Sequence, residues 1–213
     1  MKRSVLLLLL LSLLLAGCKQ GLPVFTVDAD GNGYTNKETG VHYAALDFHY
    51  EAVKRGTVVG AYTNKKLDYT RSFYSIPGVD ASLFLTDDDL TVWYAGDAVI
   101  DAATWELSGV LICQEEAISV ELFGLLPGEE DAAIAEIQTL WFSGEATELP
   151  EGTATLCRTV KLSTKAWPGL YYSFYFYLYE SGEAYFYAPV PSRAVAVPEA
   201  LVEKFLPDEE AEA

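Results

Sequence analysis

Between Asp28 and Asn36 the chain reads Asp-Ala-Asp-Gly-Asn-Gly-Tyr-Thr-Asn, which sets the side-chain oxygens of Asp28, Asp30, Asn32 and Asn36 at the spacing of a calcium loop. Gly33 falls where such a loop turns sharply. The twelfth position is Thr39, where a bidentate Glu belongs, and Asp, Asn and Gly are also ordinary turn residues. Calcium is therefore one candidate cofactor and a plain turn the competing reading. His42 and His49 are the only histidines. On a strand over Val41–Tyr50, Asp47, His49 and Glu51 alternate onto one face, where a histidine between carboxylates can move a proton or bind a metal. A histidine merely hydrogen-bonded at a sheet surface is the simpler alternative. No Gly-x-Ser-x-Gly elbow, His-Glu-x-x-His helix, paired-cysteine metal site or phosphate-cradling glycine loop occurs in the sequence, so no catalytic residue is assigned.

One cysteine carries a different chemistry. Met1-Lys2-Arg3 is a short basic start, Val5–Leu15 is apolar apart from Ser12, and Leu15-Ala16-Gly17-Cys18 follows. A basic n-region, an apolar h-region and small residues at a cut site form a secretory signal, and the apolar run is too short to remain as a spanning helix. With cysteine directly after Leu-Ala-Gly, the segment resembles a bacterial lipobox. That resemblance implies a diacylglyceryl thioether on Cys18, cleavage before it, and attachment to the extracytoplasmic face of the cell membrane. Two acyl chains, at about 0.8 kcal/mol per buried methylene, suffice for stable anchoring where one does not. The segments Gly33–Tyr43 and Ser72–Val79 resemble uncharacterised lipoproteins of anaerobic gut bacteria, which bears on location and brings no activity.

The formal charge is −17, and removing residues 1–17 makes the chain more acidic by taking Lys2 and Arg3. So acidic a surface excludes nucleic acid as a partner, because phosphate neutralisation needs clustered Lys and Arg. It also holds the body off anionic lipid heads. The acidic runs at 87–89, 129–131 and 208–210 read as solvated turns, a helix start and a tail. Cys113 and Cys157 lie in apolar, strand-like runs and suit either one disulfide or two buried thiols.

The positioning elements read as strands over Val41–Tyr50, Thr57–Thr63, Tyr69–Ile76, Leu90–Ala95, Glu106–Cys113, Ile118–Phe123, Thr153–Leu162, Leu170–Tyr179 and Ala184–Val190, each rich in Val, Thr, Tyr and Phe and bounded by turn residues. Two helices are expected, at about 129–142 and 198–206, the first burying Ala133, Ile134, Ile137, Leu140 and Trp141 and the second beginning at Pro198. The fold class is α+β, predominantly antiparallel β-sheet with two packed helices. Residues 1–17 are the signal peptide, 18–33 the lipidated cysteine and tether, 34–206 a single domain, and 207–213 an acidic tail.

Within Leu170–Tyr179, Phe174, Phe176 and Leu178 alternate with Tyr175, Tyr177 and Tyr179. A three-residue turn at Glu180-Ser181-Gly182, with Gly182 left-handed, pairs Tyr179 with Glu183 and adds Phe186 to the apolar face and Tyr185 and Tyr187 to the other. Tyr175, Tyr177, Tyr185 and Tyr187 then form a candidate platform for a glycan or a protein partner, unless a second layer such as the first helix covers them. The function expected is a lipid-anchored binding or envelope-accessory protein. The alternative is an extracytoplasmic hydrolase with dispersed carboxylates, of the glycosidase kind.

Overall fold

The computed structural model describes residues 21–114, 120–128 and 130–206; Cys18 and the acidic tail lie outside them. The first half of the chain forms β1 (Phe25–Val27), β2 (Gly33–Asn36), β3 (His42–Ala45), β4 (Tyr50–Ala52), β5 (Val58–Asn64), β6 (Tyr69–Ser75), β7 (Phe84–Thr86) and β8 (Val92–Tyr94). The second half forms β9 (Leu107–Gln114), β10 (Glu121–Leu125), helix α1 (Asp131–Ser143), β11 (Ala146–Thr147), β12 (Ala154–Thr164), β13 (Leu170–Tyr179), β14 (Ala184–Pro189), β15 (Ser192–Val197) and the single turn α2 (Glu199–Val202). The protein is thus mostly antiparallel β, with two short helices.

Seven strands in the order β1-β2-β3-β8-β7-β6-β5 make a barrel-like sheet that nearly closes, because Val24 bridges Ala61 across its two edges. Its interior is aromatic: Phe25, Tyr34, Tyr43, Phe73 and Trp93 pack with Leu85. Asp87 is fully buried beside them, accepting from Arg71 at 2.9 Å and from Trp93 Nε1 at 3.1 Å. The expectation of a solvated acidic turn holds for neither its burial nor its pairing. A buried carboxylate persists because its charge and lone pairs are both satisfied.

The second sheet runs β10-β9-β12-β13-β14-β15-β11, with β4 added to the edge of β13. Its inner face carries Ile112, Val160, Leu162, Phe174, Phe176 and Phe186, all buried. Helix α1 covers that face through Ala133, Ile134, Ile137 and Trp141, the indole lying 4.5 Å from the Phe174 ring and nearly parallel to it. Phe205, in the 3-10 turn after α2, stacks on Phe176 at 4.3 Å. Ile76, Phe84 and Val92 of the barrel side join the same apolar cluster, so a continuous core links the two sheets.

Several expected elements are redrawn. Among the described residues strand structure starts at β1, inside the stretch read as tether, with Phe25 buried in the barrel core. The expected strand Val41–Tyr50 is two strands, β3 and β4, separated by a turn in which Asp47 accepts the His49 amide. Pro198 sits just before α2 with extended backbone, and helical structure there is one turn followed by a 3-10 turn over Glu203–Phe205. The hairpin is as read: Gly182 has φ +84°, the Tyr179 amide donates to the Glu183 carbonyl at 2.9 Å, and Phe176 faces Phe186.

Candidate functional site

The outer face of the second sheet is a grid set by strand register. Thr159 of β12 stands between Cys113 of β9 and Tyr175 of β13; Lys161 stands between Leu111 and Ser173; Ser163 stands between Gly109 and Tyr171. Directly opposed residues share a face, so these side chains rise from one surface. The free edge of β13 changes partner part-way along. Leu170–Tyr172 pair with β4, bringing Glu51 opposite Tyr171, whereas Tyr175–Leu178 pair with β14. His49 fills the gap: its carbonyl accepts the Ser173 amide at 2.8 Å, and its ring Nδ1 lies 2.7 Å from the Ser173 carbonyl. A carbonyl only accepts, so Nδ1 carries the proton and, in the neutral ring, Nε2 is left as an acceptor.

Beneath the overhanging Phe48–Val53 segment this grid bounds a groove of about 840 Å³, lined among others by Phe48, Glu51, Cys113, Glu121, Lys161, Tyr171 and Tyr175. Lys161 Nζ donates to Glu51 Oε2 at 2.7 Å; the two side chains are 7% and 23% exposed. The ammonium also lies 5.5 Å from the Tyr171 ring centroid. Where the floor dips against Phe48, His49 and Tyr175, Thr159 and Ser173 line a smaller recess. Both residues are buried, and their hydroxyl oxygens have no hydrogen-bond partner among the described residues. Most buried hydroxyls are satisfied in native proteins, so two orphans under one concavity mark a place where a bound polar group would be rewarded.

The electrostatics argue for binding over nucleophilic attack. Burial pushes the Cys113 thiol up, with Lys161 pulling the other way, so the sulfur enters the groove as a neutral thiol. Tyr171 is raised first by burial and then by Glu121, Cys113 and Glu51, and its phenol stays protonated. One ammonium faces the carboxylates of Glu51, Glu121 and Asp89, which leaves the lining net negative. Anions are disfavoured there, and neutral polyhydroxylated or cationic groups are not.

Three of the calcium-pattern residues take partners within the loop or from His42. Asp30 accepts from the Asn32 backbone and side-chain amides at 3.2 Å, Asp28 Oδ2 lies 2.7 Å from His42 Nε2, and Asn36 accepts from the amides of Glu38 and Thr39. The loop is a self-bonded turn between β1 and β2, and no group of three or more His, Cys, Asp or Glu suited to a metal occurs among the described residues. A Cβ at Gly33 would displace the paired side chains of Asp28 and His42. Of the expected histidine constellation, Asp47 and His49 stay together, with Asp47 Oδ1 4.0 Å from Nε2, while Glu51 turns to Lys161.

Of the four tyrosines, Tyr175, Tyr177 and Tyr187 are half-buried and form a ladder, with ring centroids 6.0 Å and 5.4 Å apart. Tyr185 is only 9% exposed and packs with Tyr179 and Ala194, so it leaves the platform. Helix α1 does not cover the tyrosines, since it packs on the phenylalanine face. Cys113 and Cys157 are not joined to each other by a disulfide. Lys161 and Glu121 of the groove and Thr159 and Ser173 of the recess carry no motif, and only the clean alternation of Val160 and Leu162 with polar neighbours on β12 hints at an outward-facing row. No protein-family model matches the chain, and no curated protein or solved structure is significantly similar to it.

Proposed function

We propose that this is a lipid-anchored, extracytoplasmic binding protein whose groove on the outer face of the second sheet holds a saccharide. The observation that carries the reading is a convergence. The Lys161–Glu51 ion pair and the rings of Phe48, Tyr171 and Tyr175 line the groove, and two unpartnered hydroxyls line the smaller recess that shares Phe48, Glu51 and Tyr175 with it. Sugar rings present apolar faces to aromatic side chains and hydroxyls to charged donors and acceptors, and a net-negative lining suits uncharged polyols better than anions. The half-buried ladder of Tyr177 and Tyr187 continues from Tyr175 along the sheet and offers a longer chain further contact. The extracytoplasmic location rests on the lipobox-like segment ending at Cys18.

Lys161→Met combined with Glu51→Leu tests the reading. Replacing both members of a buried pair by apolar residues is often neutral for stability, whereas removing one costs about 3–5 kcal/mol. The double variant is expected to melt near wild type and to lose retention on an array of bacterial-envelope and plant oligosaccharides. Unchanged retention, or no glycan bound by the wild type, would refute the proposal. A hydrolytic reading is favoured by one observation, that Glu51 and Glu121 line the same groove. It requires cleavage of whichever glycan is retained, with turnover lost in Glu121→Gln.

A further inference from the structure

On the α1 side of His49 lies a second cavity of about 250 Å³, between Asp47, His49, Trp141, Phe142, Tyr172 and Arg193. We propose that it is a binding site for a small zwitterion of the α-amino acid kind. The inference does not rest on the saccharide groove.

Arg193 supplies the first argument. The chain holds 31 acidic residues against 14 basic ones, and Arg55 and Arg71 each pair with a carboxylate. Arg158 and Arg193 have no carboxylate partner among the described residues, and of the two only Arg193 lines this cavity. Its Nη2 donates to the Gly144 carbonyl at 2.9 Å, its guanidinium lies 5.6 Å from the Trp141 ring centroid, and its buried Nε has no acceptor. The fork is therefore held in place with donor capacity unused, beside a cavity. A carboxylate is the planar acceptor that such a fork matches.

The other wall has the opposite character. His49 is buried, its Nδ1 proton is committed to the Ser173 carbonyl, and its Nε2 is an acceptor in the neutral ring. Asp47 brings a carboxylate to within 4.0 Å of that nitrogen. Two acceptors on one wall take an ammonium, and the guanidinium donors that Gly144 leaves over take a carboxylate. A simple anion would be repelled by Asp47 and a simple amine by Arg193. The Trp141 and Tyr172 rings form an apolar floor between them, and the His49 ring stacks on Tyr172 at 5.1 Å. The volume admits one amino acid and not an extended peptide.

The test uses the full-length chain in detergent, titrated calorimetrically with each free L-amino acid and with acetate, methylamine and inorganic phosphate. At least one amino acid is expected to bind saturably, and acetate and methylamine at least tenfold more weakly. Arg193→Gln should weaken that binding by roughly tenfold or more, as loss of a charge-assisted pair does. Lys161→Met with Glu51→Leu should leave it unchanged, which separates this site from the groove. If Arg193→Gln fails to fold, the Arg193 Nε–H resonance of the wild type should still shift on titration, and Asp47→Asn, at a half-exposed position, should weaken binding. Binding of no amino acid, equal binding of acetate or phosphate, or an unmoved Arg193 resonance would overturn the proposal.

Discussion

Tyr50 shows how much one hydroxyl organises. It donates to the Ile100 carbonyl at 2.7 Å and accepts the Ala102 amide at 3.1 Å, pinning the segment after β8 to the core. Burial pushes its pKa from 10.0 up to about 12. A raised tyrosine pKa means that the folded state favours the protonated phenol, so stability is intact below pH 10 and falls as pH climbs towards 12. The loss attributable to this group is on the order of 2–3 kcal/mol. Tyr50→Phe is expected to be less stable at pH 7 by about 1 kcal/mol, from the orphaned Ala102 amide, yet to lose less on alkaline titration. A parallel fall of both proteins in pH-dependent denaturant melts would contradict this. Individual residues were the least legible level in the sequence. Lys161 and Glu51 are separated by 110 positions, and nothing local announces their pairing. Asp87 sits in a run of three acidic residues that looks solvated, and only the assembled barrel makes it a buried hub.

The element most legible in advance was the β13–β14 hairpin, because its determinants are local: strict alternation and a glycine where the backbone turns left-handed. Short barrel strands were missed for the opposite reason. Segments of three or four residues, such as β1 and β7, are too brief for alternation to register, and their strand character comes from neighbours distant in sequence. The strand expected across Val41–Tyr50 failed where Asp47 bonds the His49 amide, a local turn that periodicity does not see. Turn and core contribute unequally to the hairpin. Gly182→Ala, at a φ of +84°, is expected to cost about 1 kcal/mol. Phe176→Ala, fully buried against Phe186 and Phe205, is expected to cost about 3–5 kcal/mol. Equilibrium unfolding of the two variants checks the ordering.

For the molecule as a whole, the anchor proposed at Cys18 would hold the body near a membrane while the acidic balance sets it against lipid charge. Cys18→Ser is expected to abolish incorporation of an alkyne fatty acid and to leave the precursor uncut; persistent label would remove the anchor from the proposal. The insertion of β4 beside β13 has a consequence of its own, in time. His49 and Ser173 are 124 residues apart, and His49 lines both the recess and the cavity beside Arg193. Local hairpins close cheaply, while a pairing of such separation must wait for a long loop to be ordered, which places sheet proteins of this kind in the millisecond-to-second range of folding. A chain emerging N-terminus first presents β4 long before the strand that receives it has appeared. The barrel and the hairpins can form early, but the cavities are completed only when the far edge of the second sheet arrives.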